Sequence, residues 1–247
     1  MLSTRMATAA AVGAMTLACG CSSHPTGVLG NGEFRYLCDG DSDTACTSGE
    51  TDTDLPSAAI AVGSTFQMAY EPNSSAGSIQ GATGYEIIAA SPRLATTSGD
   101  TIATLREGFV ALLARHVGNS TIDDFVHLQF RSIRTLIASP PTVTLRAGGQ
   151  ESIGLEARDD LDATLAGRLR CQWEITEGAS GIALVGAPTG GSASITAPAQ
   201  GGVTAGTVHV ACGAASVDVA VTVTGVSPAD AGSPIDASQA LDGGPNG

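Results

Sequence analysis

Cysteine carries most of the covalent chemistry open to this chain, and its six copies fall into three groups. Cys19 and Cys21 stand near the start, Cys38 and Cys46 enclose a short acidic loop, and Cys171 and Cys212 lie in the second half. None of these spacings is C-x-x-C, so zinc-ribbon and dithiol-redox chemistry have no scaffold. Carboxylates offer a second chemistry. Asp39, Asp41, Asp43 and Glu50 fall at positions 1, 3, 5 and 12 of a calcium-loop pattern, but Thr44 occupies the position that needs glycine and no helices flank the loop. They are weak metal candidates, and an exported acidic linker would carry the same residues. Asp123, Asp124 and His127 could make an acid–base or metal group. Phe125 lies between Asp123 and His127 on their strand face, however, and no third ligand is near, so solvated positions on an edge hairpin fit better. Asp159, Asp160 and Asp162 read as a turn, because aspartate side chains bond their own backbone there. His209 reads as a surface residue. The sequence has no G-x-S-x-G, no H-E-x-x-H and no phosphate-cradling loop. It points to no catalytic residue and calls for no cofactor.

Charge narrows the partners. The formal net charge is −13, and all eleven basic residues are arginine. Such a surface repels nucleic acid and anionic head groups, so neither a nucleic-acid partner nor a polybasic membrane contact is expected. Without lysine there is no Schiff-base or Walker-type chemistry.

Positioning begins at the leader. Arg5 is the only charge before an apolar run of 13 residues, Met6 to Ala18. A bilayer span needs about 20 apolar residues, so this run fits the core of an export signal instead. It ends in Leu17-Ala18-Cys19-Gly20-Cys21-Ser22, small residues before cysteine, which resembles the lipobox of bacterial lipoproteins. That resemblance implies cleavage before a cysteine and acylation, palmitate included, so the lipid bilayer becomes a partner through covalent acyl chains. Cys19 has the more typical preceding residues; acylation of Cys21 would instead leave an even four cysteines. An ordinary signal peptide with both cysteines incidental is the other reading. Neither cysteine is followed by Asp, which by resemblance to sorting signals indicates the outer membrane of a cell envelope.

Residues 19–57 read as a flexible tether rich in Ser, Gly, Pro, Thr and Asp, with one strand-like stretch at Phe34–Cys38. In an oxidising compartment Cys38 and Cys46 are expected to pair. From residue 58 onward strand signals dominate. Phe66, Met68 and Tyr70 alternate on one face, Gly84–Ile88 follows, and Gly108–Arg115 with Ile122–Phe130 reads as a hairpin. Six further candidates lie between Thr142 and Val223, at the short spacing of a sandwich. Tyr85-Glu86-Ile87 matches Trp173-Glu174-Ile175, and Gly108–Ala114 matches Gly206–Cys212 in the same order, which predicts a tandem repeat. The expected units are a signal peptide at 1–18, the tether, a first domain at 58–138, a second at 139–225 and a disordered tail at 226–247.

Gly148-Gly149, Leu155-Glu156-Ala157, Asp159-Asp160, Leu165-Ala166-Gly167, Trp173 and the closing Gly206-x-Val208-x-Val210 resemble bacterial Ig-like domains of the BIG2 type. The resemblance covers 139–225 and, more faintly, 58–138, where Tyr85 replaces Trp173 and a longer excursion runs from Glu71 to Gly84. It implies an all-β fold of two tandem Ig-like sandwiches. It also implies a Cys171–Cys212 bridge beside an inward Trp173, with two unpaired buried thiols as the alternative. The function it implies is that of a non-catalytic scaffold, spacer or adhesion module contacting an envelope or extracellular protein or glycan. A calcium- or glycan-binding module and a hydrolase with dispersed groups are the alternatives.

Overall fold

Strict alternation drives the architecture. In the sequence Thr65-Phe-Gln-Met-Ala-Tyr, the aromatic and thioether side chains at 66, 68 and 70 are buried while Gln67 and Ala69 face outward. A period of two can bury one face of a sheet, and two such faces closed together make a sandwich. The computed structural model describes residues 27–38, 43–46, 51–74, 77–78, 84–118, 120–177, 181–199 and 204–225. Cys19, Cys21, Asp39, Asp41 and Glu50 fall outside these residues, as do the leader and the 226–247 tail.

The first sandwich comprises β1 (Gly32–Leu37), β2 (Asp52–Thr53), β3 (Ile60–Ala61), β4 (Thr65–Ser74), β5 (Gly77–Ser78), β6 (Tyr85–Ala89), β7 (Ala95–Ser98), β8 (Thr101–Thr104), β9 (Gly108–His116) and β10 (Ile122–Arg131). The second comprises β11 (Thr135–Ser139), β12 (Thr142–Arg146), β13 (Gln150–Arg158), β14 (Gln172–Glu177), β15 (Ala183–Val185), β16 (Ser192–Thr196), β17 (Thr204–Cys212) and β18 (Ala215–Thr224). One sheet of the first sandwich runs β2-β1-β4-β8-β7, with β5 added on β4, and the other runs β3-β10-β9-β6. The second sandwich repeats the plan as β11-β13-β16-β15 and β12-β18-β17-β14. In both, a short strand lies parallel to the last long one: β3 on β10, and β12 on β18. The protein is all-β, two sandwiches in tandem.

Three sequence readings need correction. Residues 27–38 are not tether. β1 pairs with β4 over its whole length, and Phe34 and Tyr36 are fully buried in the first core, because their alternation matches that of β4. The boundary between units falls at 132–134 rather than after 138, since β11 already pairs with β13. Residues 95–104, for which the pattern predicts no strand, form the β7–β8 hairpin; its Thr and Ser residues carry little hydrophobic signal, although the Ser98-Gly99-Asp100 turn marks it.

The two cores are filled differently. Eight of the nine aromatic residues belong to the first sandwich, where the Tyr36 ring stacks on Phe66 and Phe66 meets Phe130 edge-on. The second holds Trp173 and a body of Val, Ile, Leu and Ala. Here Cys171 and Cys212 are joined. They adjoin the neighbouring strands β14 and β17, which pair Gln172 with Ala211, so the bridge lies within one sheet rather than between two. Trp173 is buried beside it and donates Nε1–H to the Gly190 carbonyl at 2.9 Å.

Candidate functional site

The polar side chains that are most completely used lie in two places, the junction between the sandwiches and the far end of the first.

At the junction only residues 132–134 link β10 to β11. The chain is also held by a second contact. The segment Leu165–Arg168 of the second sandwich lies along the first like an added strand. Ala61 N–H donates to the Ala166 carbonyl at 2.8 Å and Ala166 N–H to the Ala59 carbonyl at 2.9 Å. Thr65 and Arg168 exchange a further pair, at 3.1 and 2.7 Å. The two cores cross here: Ala166 packs in the first and Ala61 in the second. Gly167 makes the close approach possible. Its φ is +101°, a region that side chains with a Cβ avoid, and a Cβ there would stand 2.3 Å from Ser64 Oγ. Ser64 is itself buried and donates to the Ala61 carbonyl at 2.6 Å.

Asp43 locks this contact. It is buried and accepts from Gly167 N–H at 2.9 Å, from Ala45 N–H at 3.0 Å and from the Tyr36 hydroxyl at 2.5 Å. Thr44 Oγ1 donates to the Leu165 carbonyl at 2.6 Å. The Cys38–Cys46 bridge closes the loop that presents both residues. Burial first, and then the Asp43 carboxylate, push the Tyr36 phenol far above its ordinary range, so it stays a donor at any physiological pH. Arg131, at the end of β10, reaches Asp159 at 3.5 Å and Asp160 at 3.0 Å. Asp159 in turn caps its own turn, accepting from Leu161 and Ala163 N–H at 2.9 Å each. The acidic turn read from sequence is therefore built as a turn, and it also faces the junction.

At the far end, Asp124 overturns the reading of 123–127 as solvated. A register shift between Ile122 and Asp124 turns the Asp124 side chain inward, where it is wholly buried. Its carboxylate accepts from the N–H groups of Leu29, Asn31 and Phe125 at 2.8 Å and of Gly32 at 3.2 Å. It thereby fixes the turn that leads into β1. Asp123 accepts from the Tyr70 hydroxyl. His127 remains exposed, in edge-on contact with Phe125. His209 lies at the surface, with Nδ1 2.6 Å from Asp218 Oδ1.

An open groove of about 580 Å³ borders the junction, lined by Gly63, Thr65, Arg168, Leu169, Arg170, Gln172, Thr189 and Gly190, with no carboxylate, imidazole or thiol among them. Among the described residues, no three His, Cys, Asp or Glu side chains converge as a metal site would require. Of the calcium-loop candidates only Asp43 is described, and its oxygens are taken up by the donors above. Sequence reasoning had no local signal for Asp43 meeting Gly167, residues 124 positions apart.

No family model matches the chain, and no curated protein does. Solved structures with which it aligns include domains 1–6 of the surface-layer protein SbsC, at 12% identity and a TM-score of 0.32 over 79% of this chain and 28% of that one. The Yersinia pseudotuberculosis adhesin InvE aligns at 14% identity and a TM-score of 0.32, over 80% of this chain and 61% of that one. An endo-fucoidan hydrolase of glycoside hydrolase family 107 aligns at 10% identity and a TM-score of 0.29, over 78% and 39%. The chain spans about a quarter of the length of the first surface-layer structures that it matches, at 24% and 28%.

Proposed function

We propose that this chain is a non-catalytic, lipid-anchored protein of a bacterial envelope, in which two Ig-like sandwiches of the BIG2 type form a stiff spacer. Acylation at Cys19 or Cys21 holds it to the bilayer, with the outer membrane as the expected site. The second sandwich and the tail that follows it then present a surface to an envelope or extracellular protein or glycan.

One observation carries this reading: the chain enters and leaves at opposite ends of a joined pair. Gly27 lies beside β10 where it begins, held by Val28 N–H donating to the Phe125 carbonyl at 2.8 Å. β10 then runs to the junction. In the second sandwich the turn between β17 and β18 lies against the linker, with Cys212 and Gly213 beside Ser132 and Ile133. β18 runs away from the junction and ends at Thr224, next to Arg146. Strands of ten residues span roughly 33 Å, so the two sandwiches hold their ends on the order of 65 Å apart. Shared core residues and a three-residue linker suit a fixed spacer rather than two beads on a string.

Intact mass analysis of protein extracted from membranes tests the proposal. A chain that starts at Cys19 or Cys21 and carries acyl mass is the expected result. A full-length cytosolic product with Met1 in place and all six thiols free would overturn it.

A further inference from the structure

We infer that the far end of the first sandwich seats directly on the bilayer, with Val28, Leu29, Val117 and Ile122 in the lipid interface. The inference rests on the lipid-anchor reading above. Four of the nine exposed large apolar side chains among the described residues gather at this end, with 59%, 55%, 62% and 45% of their surfaces exposed. Two flank the β9–β10 turn, and two sit on the turn that Asp124 fixes. Three carboxylates of this end are turned inward or bonded: Asp124 is buried among N–H donors, Asp123 accepts from Tyr70, and Glu86 pairs with Arg115 at 2.6 Å, while Glu33 on β1 stays half-exposed beside them. An acidic chain thus gathers exposed apolar side chains at the one end where its anchor attaches, with most of the acids there bonded rather than open to solvent. The length of chain outside the structure selects the occupant. Gly27 stands eight residues beyond Cys19 and six beyond Cys21. At no more than ~3.6 Å per residue, the acylated cysteine lies within about 29 or 22 Å of this turn. That leash is shorter than the sandwich is long, so this end rather than the junction is brought to the head groups, and the exposed apolar side chains at its tip favour it over the sheet faces. Apolar side chains whose arginine neighbour, Arg115, is already paired with Glu86 enter an interface by burial of surface rather than by attraction to anionic lipid.

The test uses the full acylated protein reconstituted into phosphatidylcholine vesicles with brominated acyl chains. Trp173 is the only native tryptophan and lies in the second core, which makes it an internal reference. Leu29→Trp and Val117→Trp each place a new indole at an exposed position of the seat, and Val185→Trp places one on the second sandwich. The expected result is about twofold or greater quenching of the added emission in both seat variants and none in Val185→Trp, as insertion of several ångströms into the interface requires. If neither seat variant is quenched while mass analysis shows the acyl chains present, the seat is wrong and the anchor stands. Cross-linking of the seat to a second copy instead of lipid also overturns it. An unacylated chain removes the anchor reading and the seat with it.

Discussion

Replacing Gly167 by alanine strikes the junction at its narrowest point. The new Cβ would meet Ser64 Oγ at 2.3 Å and Ile60 Cγ2 at 3.0 Å, and the residue would have to keep φ near +101°. Holding a non-glycine residue in such a region costs about 1–3 kcal/mol. Relief of the contact moves Ser64 off the Ala61 carbonyl or lifts the segment off Asp43, and a hydrogen bond to a charged group contributes about 1.5–3 kcal/mol. The unfolded chain loses some freedom with alanine, which returns about 0.4–1 kcal/mol. The balance is roughly 3 kcal/mol against the docked junction, with neither core cut. Small-angle scattering should therefore show a broader distribution of end-to-end distances in Gly167→Ala, while circular dichroism keeps its strand signature. Adding Ser64→Gly removes the Oγ contact but not the backbone strain, so the double variant should recover part of the loss, a coupling that a double-mutant cycle measures. If Gly167→Ala scatters as the parent does and unfolds within 1 kcal/mol of it, the segment 165–168 does not hold the sandwiches together and the spacer argument loses its joint.

Asp124→Asn keeps the shape but sets an amide N–H₂ against two of the four N–H donors, so a loss of about 3 kcal/mol is expected. Urea denaturation should report it, and hydrogen exchange should rise first in 27–37. Tyr36 and Tyr70 have phenols raised above the alkaline range by burial first and then by Asp43 and Asp123 respectively. The folded state keeps these protons past pH 10, where the unfolded chain has lost them, so stability should fall by about 1.4 kcal/mol per pH unit for each as pH rises beyond 10. Absorbance at 295 nm should show their phenolates only on unfolding; ionisation near pH 10 in the folded protein would refute the burial. Replacing Cys171 and Cys212 by alanine should cost about 4 kcal/mol on the chain-entropy account of a separation of 41 residues, and mainly the second sandwich should lose it. The same change at Cys38 and Cys46, eight residues apart, should cost about 2.5 kcal/mol and loosen the junction instead, seen as wider scattering distances.

What the sequence disclosed followed from period-two patterning and from repetition. Gly108–Arg115 and Ile122–Phe130 are the β9–β10 hairpin, and the matched pairs Tyr85/Trp173 and Gly108/Gly206 open equivalent strands, β6 with β14 and, nearly, β9 with β17. Polarity hid other elements. β1 alternates well, but it lies among Gly, Ser and Asp and looks like an island in a linker; only its register on β4, thirty-odd residues away, makes it core. Asp43 and Asp124 look like surface acids because local sequence cannot say which carboxylate will meet N–H groups from a distant segment. Burial of a charge is tolerated only where donors surround it, and those donors come from residues 29–32 in one case and from Gly167 in the other.

The two sandwiches answer the same topology with different fillings, and the placement of the cysteines follows from that. The first core has stacked rings from β1, β4 and β10, so Ala114 suffices where the second has Cys212. The second core has one ring and many small side chains, which bury less apolar surface per residue. A cross-link adjoining β14 and β17 offsets that shortfall by restricting the unfolded chain. Both bridges also lie toward the junction, Cys171 just after the Leu165–Arg168 contact and Cys38–Cys46 around Asp43. A spacer is only as stiff as its joint. Here the covalent links sit on either side of that joint, where leverage from the two ends would be greatest, and the far end of the first sandwich is held instead by hydrogen bonds, the Glu86–Arg115 ion pair and packed rings.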